Sequence, residues 1–165
     1  MIFNDIDYHL ASFFGKLSDN NPLLYETILL LSHRISEGDV CLMLDEFAGC
    51  RIFDINKDSS ETDAFTLPDI ERWISELKTI DIIGRPRDIQ PLILDEKARL
   101  FFHRYWNYEQ IIIDKINLLI GDNTFDIDLT TLRNGINNFF NSSENPDRQK
   151  IAAISSVINR FSVIS

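Results

Sequence analysis

Three histidines (His9, His33 and His103) and two cysteines (Cys41 and Cys50) are the side chains best suited to bind a metal or act as nucleophiles. Their spacing suits neither task. No two histidines stand at ligand spacing, no cysteine or paired carboxylate frames them, and the cysteines are not in C-x-x-C register. Isolated histidines of this kind are ordinarily partly exposed residues with no special task. No G-x-S-x-G elbow presents a serine. The six glycines (Gly15, Gly38, Gly49, Gly84, Gly121 and Gly135) are all isolated, so no glycine loop can cradle a phosphate. Carboxylates are abundant, but none is set apart as an acid/base pair. The expectation is a chain with no catalytic residue, no metal site and no cofactor of its own.

What the chain does offer is a block of aromatic and charged side chains, Arg104-Tyr105-Trp106-Asn107-Tyr108-Glu109. Aromatics beside arginine can stack on bases or anchor a protein interface. At helical spacing they can equally fill a core. Trp106 falls off the face shared by Tyr105 and Ile112, so it is the member expected at a surface contact. Arg104, Trp106 and Tyr108 are therefore the candidate partner-binding residues.

Composition limits the partner. Against 16 Lys and Arg stand 26 Asp and Glu, a net charge of −10, and no basic cluster occurs. Such a chain repels phosphate backbones, which argues against broad nucleic-acid binding. The 44% hydrophobic and 25% charged residues, with 12 Phe among 165 residues, describe a globular chain of one domain or a domain with a short annex. Two cysteines make no disulfide scaffold, and the chain reads as reduced and cytoplasmic. The opening MIFNDIDYHL lacks the basic and apolar regions of a signal peptide, and no apolar run reaches the ~18 residues of a membrane span.

The elements follow from periodicity. Ile6, Leu10, Phe13 and Leu17 fall on one face of a first helix, and Asn21-Pro22 opens a second whose stripe is Leu24, Ile28, Leu31 and Ile35. Gly38 ends it in a left-handed cap. Val40 to Leu44 reads as a strand, Asp45 to Gly49 as a helical turn and Lys57 to Thr66 as a mobile polar loop. Pro68 opens a helix with Ile70, Trp73, Ile74 and Leu77 on one face. Pro91–Leu94 and Arg99–His103, joined by residues 95–98, form a hairpin. A helix from about Arg104, with Tyr105, Tyr108, Ile112, Ile116 and Leu119 inward, closes at Gly121. Leu129, Leu132, Ile136 and Phe139 mark another, and Asn141–Asn145 is a linker. Pro146 starts a last helix, and Phe161–Ser165 reads as a strand. The fold class is mainly α with a small β-hairpin (α+β). The element order matches a winged helix, and equally a helical bundle carrying a small hairpin.

Several segments, in order, resemble the N-terminal region of the RecD family, the alpha subunit of exodeoxyribonuclease V. They are Pro22-Leu23-Leu24, Glu37 to Leu42, Pro91 to Asp95, and Arg99-Leu100 through Trp106 and Tyr108-Glu109. Arg148 to Ala153 is similar to the helix that precedes the family's motor. Phe161 to Ser165 is similar to the strand that leads into its phosphate loop.

The resemblance implies domains at 1–140 (docking) and 146–165 (the start of a RecA-like motor), with 141–145 as linker. It implies a subunit of an ATP-dependent 5′-to-3′ DNA helicase and nuclease complex acting in double-strand break repair and recombination. ATP and Mg would be bound by the parent protein, and the partners would be RecC-like and RecB-like subunits, with DNA reached through the complex. Gln149 takes the position of an adenine-reading glutamine. The Walker lysine, Walker carboxylate and arginine finger on which phosphoryl transfer depends are absent from these 165 residues. So are the helix-hairpin-helix motifs of stand-alone relatives, which favours the RecC-bound type. The rival class is a free-standing winged-helix interaction or regulatory module.

Overall fold

Asparagines start the first two helices. Asn4 caps α1 (Asp5–Lys16), and Asn21 caps α2 (Pro22–Ser36) by accepting the Leu24 N–H on Oδ1 at 3.0 Å, with Pro22 in the first helical position. Gly38 ends α2 at φ +104°, the left-handed conformation expected of it. The computed structural model describes residues 1–54, 64–121, 127–140 and 147–165. They divide into two compact units, Met1–Tyr108 and Glu109–Ser165.

In the first unit, α2 is the central element. Leu23, Leu24, Ile28, Leu29, Leu30 and Leu31 are all buried, so the helix is covered on nearly every side rather than along the single expected stripe. α1 packs on it with a different face from the one the periodicity marks. Asp7, Ala11 and Phe14 point inward, while Ile6, Phe13 and Leu17 are exposed. The reason is Asp7. Its Oδ1 accepts the Ser32 hydroxyl of α2 at 2.5 Å, and its Oδ2 accepts the Asn4 N–H at 2.8 Å. A carboxylate so bonded at a helix N-terminus can be buried, and fully buried Ala11 leaves room for the two helices to approach.

The β structure is a four-stranded sheet of order β1-β6-β5-β4: Leu42–Met43, Arg99–Phe102, Leu92–Leu94 and Ile83–Gly84. β5 and β6 form the expected hairpin, with Ile93 opposite Phe101, and β1 joins it antiparallel with Leu42 opposite Leu100. The winged-helix order requires these pairings. Parallel β4 (Ile83 opposite Leu92) lies outside that order, as does an antiparallel ribbon of β2 (Arg51–Phe53) and β3 (Ala64–Thr66). β3 corrects the loop assigned to 57–66: Ala64, Phe65 and Thr66 find partners in Phe53, Ile52 and Arg51. The rest of that loop lies outside the described residues. The strand expected from Val40 shrinks to Leu42–Met43 because Leu44 already begins the single turn α3 (Leu44–Phe47).

Asp69 starts α4 (Ile70–Leu77) by accepting the Arg72 N–H at 3.0 Å. Trp73 and Leu77 enter the core as expected. Fully buried Trp73 donates its indole N–H to Thr27 Oγ1 at 2.9 Å, and the Thr27 hydroxyl donates to the Leu23 carbonyl at 2.6 Å.

α5 (His103–Gly121) begins in the first unit and continues in the second, which also holds α6 (Leu129–Phe139) and α7 (Arg148–Ile158). Asp128 and Asp147 start α6 and α7. The latter corrects the start assigned to Pro146, which, like the linker 141–145, lies outside the described residues. No described residue of the second unit is buried. Tyr108, Ile112 and Leu119, expected to face inward, are exposed, and so are Leu129 and Phe139 of α6. Periodicity tells which side of a helix is apolar, not whether anything covers that side. Residues 161–165, read as a strand, are not extended into one.

Trp73→Ala should cost about 3–5 kcal/mol of unfolding free energy, as large-to-small core substitutions do. Ser32→Ala, which removes one donor from a buried carboxylate, should cost about 1–3 kcal/mol. Denaturant titration of the two variants checks both values, and a Ser32→Ala protein as stable as the parent would remove Asp7 as the cause of α1's orientation.

Candidate partner-binding surface

The aromatic block is positioned by the hairpin. Asp95 closes the turn by accepting the Lys97 and Arg99 N–H groups on Oδ1, each at 2.9 Å. Its Oδ2 accepts the Arg99 guanidinium through Nε at 2.8 Å and through a terminal nitrogen at 2.7 Å. This two-point pairing holds Arg99 over the Phe101 ring, 5.2 Å from its centroid. β6 then runs directly into α5, and the His103 N–H donates to the Pro91 carbonyl at 2.9 Å, tying the start of α5 to the start of β5.

On this base the expected residues separate. Arg104 is exposed and spans two rings, with its guanidinium 5.2 Å from Tyr105 and 5.8 Å from Tyr108. Tyr108 is half-exposed at 50%. Trp106, singled out as the surface member, is only partly exposed: its ring meets buried Phe101 edge-on at 5.2 Å. The outermost anchors are thus Arg104 and Tyr108, with Trp106 between core and surface.

Gln149 lies in the second unit, in the first turn of α7, where its backbone N–H donates to Asp147 Oδ1 at 2.9 Å and its side chain is exposed.

A second surface feature escaped the sequence reading. A cleft of about 450 Å³ opens between α1, α2 and the β2–β3 ribbon, lined among others by Tyr8, Lys16, Tyr25, Glu26 and Asp54. Tyr8 donates its phenol proton to the Asp54 carboxylate. Burial pushes the Glu26 carboxyl above its ordinary value of 4.5. These groups come together only once the ribbon folds over the helices, and no local spacing announces them. Among the described residues no group of three or more His, Cys, Asp or Glu could hold a metal ion, and no helix is long and apolar enough to cross a membrane. Cys41 and Cys50 are not joined in a disulfide.

Residues 1–101 match the family described as the N-terminal domain of RecD, a subunit of the RecBCD enzyme. The chain belongs to this RecD N-terminal family. The match runs from α1 into β6, so it covers α1 to α4, the ribbon and all but the last residue of the hairpin on which the aromatic block stands. No curated protein matches the chain.

Glu26 provides a pH test of the cleft. A carboxyl raised in the folded state adds stability below its ordinary value of 4.5, and that stability is lost as the pH rises through the raised folded value. At pH 7 the ionised Glu26 therefore weakens the fold. Glu26→Gln should raise the thermal midpoint at pH 7 and lose that advantage below pH 4.5; a midpoint difference that does not change with pH would remove burial as the cause.

Proposed function

We propose that this chain is the protein-docking part of a RecD-like subunit, and that it joins that subunit to a RecC-like partner within an ATP-dependent DNA helicase and exonuclease complex. The observation that carries the reading is the match of residues 1–101 to the RecD N-terminal family. The supporting chemistry is the hairpin that carries arginine and aromatic side chains, in a sequence that shows no nucleophile or phosphate-loop motif. In this reading the 165 residues do no catalysis. ATP and Mg are bound by the longer protein's motor domains, a RecB-like subunit completes the complex, and DNA is reached through the complex. Double-strand break repair and recombination in the cytoplasm are its setting. Residues 1–140 serve docking and 146–165 begin the motor, with 141–145 between them. The net charge of −10 fits a domain that meets protein rather than phosphate.

Interfaces concentrate their energy in a few aromatic and arginine anchors. Tyr108→Ala, and more strongly the pair Arg104→Ala with Tyr108→Ala, should weaken co-purification with a RecC-like subunit about tenfold or more while the thermal midpoint holds, because both side chains are exposed. Trp106→Ala should lower both, since its ring packs on Phe101. Intact binding by all three variants would remove the block from the interface.

Gln149 carries the remaining link to the motor. An amide side chain can donate to one adenine ring nitrogen and accept from the exocyclic amine, which separates adenine from guanine. Exposure of Gln149 in the first turn of α7 leaves it free to do so. In the full-length subunit, Gln149→Ala should raise the KM for ATP several-fold with less effect on GTP; an unchanged KM rejects this role.

A further inference from the structure

The cleft between α1, α2 and the β2–β3 ribbon takes no part in docking. Its volume of about 450 Å³ falls within the range of small-molecule sites, about 300–1,000 Å³. Rings and carboxylates line it together. Tyr8 of α1, Tyr25 of α2 and Phe65 of β3 supply aromatic surface, and Glu26 and Asp54 supply negative charge. The two carboxylates are in different situations. Asp54 is 8% exposed and accepts the Tyr8 phenol proton. Glu26 has lost water on folding, and burial alone raises its carboxyl, with no donor or cation among the described residues to offset the loss. Lys16 also reaches the cleft, but it is exposed and forms no ion pair with Glu26. A desolvated carboxylate among aromatic rings is the chemistry that recognises organic cations. The rings attract the positive charge to their faces, and the carboxylate accepts its N–H groups.

We propose that this cleft binds an organic cation, an alkylammonium or guanidinium head that donates its N–H groups to Glu26 and lays its carbons against Tyr8, Tyr25 and Phe65. The site is independent of the docking reading and stands if that reading fails. Other ligand classes fit the lining less well. An anion would meet two carboxylates against a single exposed ammonium. A metal ion would lack ligands, since no group of three or more His, Cys, Asp or Glu among the described residues could hold one. An uncharged ligand would leave the buried Glu26 charge without compensation, whereas a cation removes the cost that burial imposes on it.

The test is a calorimetric titration of the 165-residue chain at pH 7 with three probes. Agmatine carries an ammonium and a guanidinium head, acetyl-arginine amide presents the guanidinium as a side chain, and acetyl-citrulline amide has nearly the same shape without the charge. The expected result is saturable one-site binding of agmatine or the arginine probe and none of the citrulline probe. Glu26→Gln should bind the cation at least about tenfold more weakly, as loss of a hydrogen bond to a charged group does. Its thermal midpoint, expected to rise at pH 7, shows that the loss is not one of folding. Tighter binding of agmatine assigns the cation to a free small molecule, and tighter binding of the arginine probe assigns it to a side chain of another chain; either upholds the site. Absence of saturable binding by both cations, equal affinity of wild type and Glu26→Gln, or a citrulline probe that binds as tightly as its arginine counterpart overturns it.

Discussion

The orientation of α1 depends on one buried carboxylate. Asp7 is completely removed from water, and it stays there because a hydroxyl from α2 and a backbone N–H from its own helix start satisfy it. An unpaired carboxylate at that depth would be strongly destabilising, so the interaction dictates a single rotation of α1 about its axis. With Asp7 turned in, Ala11 and Phe14 must follow, and Ile6, Phe13 and Leu17 are left facing water. Both the close packing of the two helices and the open apolar stripe follow from that one placement.

The hairpin has a comparable organiser in Asp95. It accepts two backbone N–H groups and a two-point guanidinium pair, so turn and strand are fastened by the same carboxylate. Because β6 passes without a break into α5, whatever fixes the hairpin also fixes where Arg104 and Tyr108 project. Anchors held on a rigid base lose little conformational freedom on binding, which is what a docking surface gains from this arrangement.

Much of this was legible in the sequence, and the omissions have identifiable causes. Helix starts were readable where a capping residue precedes an apolar run, as at Asn21. The hairpin was readable because residues 95–98 separate two apolar segments. Which face of α1 turns inward was not legible, because Asp7 counts as polar in any periodicity argument, while the Ser32 hydroxyl that satisfies it lies 25 residues away. β3 was missed because its partner strand lies across a polar stretch, and only tertiary pairing makes Ala64–Thr66 extended. The cleft has the same cause, since Tyr8, Glu26 and Asp54 have no local relation. Arg104 and Tyr108 were singled out from residue type alone, and both are exposed. The partial burial of Trp106 depends on Phe101 beneath it, a contact between strand and helix that spacing does not reveal.

The two units handle apolar surface in opposite ways. In the first, twenty-one buried hydrophobic side chains among the described residues make a core against which Leu10 packs while Ile6, Phe13 and Leu17 stay exposed. In the second, none of the described residues is buried, and α6 and α7 are each 11 residues long. Helices that short are marginal in water by themselves. Their ends are well made. Asp128 accepts the Thr131 hydroxyl and the Thr130 and Thr131 N–H groups, which hold its carboxyl below the usual range, and Asp147 accepts two N–H groups in the same way. Caps decide where a helix begins, but they add only about 1 kcal/mol each and cannot replace a core. Lasting order in these helices therefore has to come from burial of Leu129, Phe139, Ile151 and Ile158, all of them exposed. The first unit has the core of an independently folding domain, whereas the second has the helix starts of a fold whose apolar side chains still need covering.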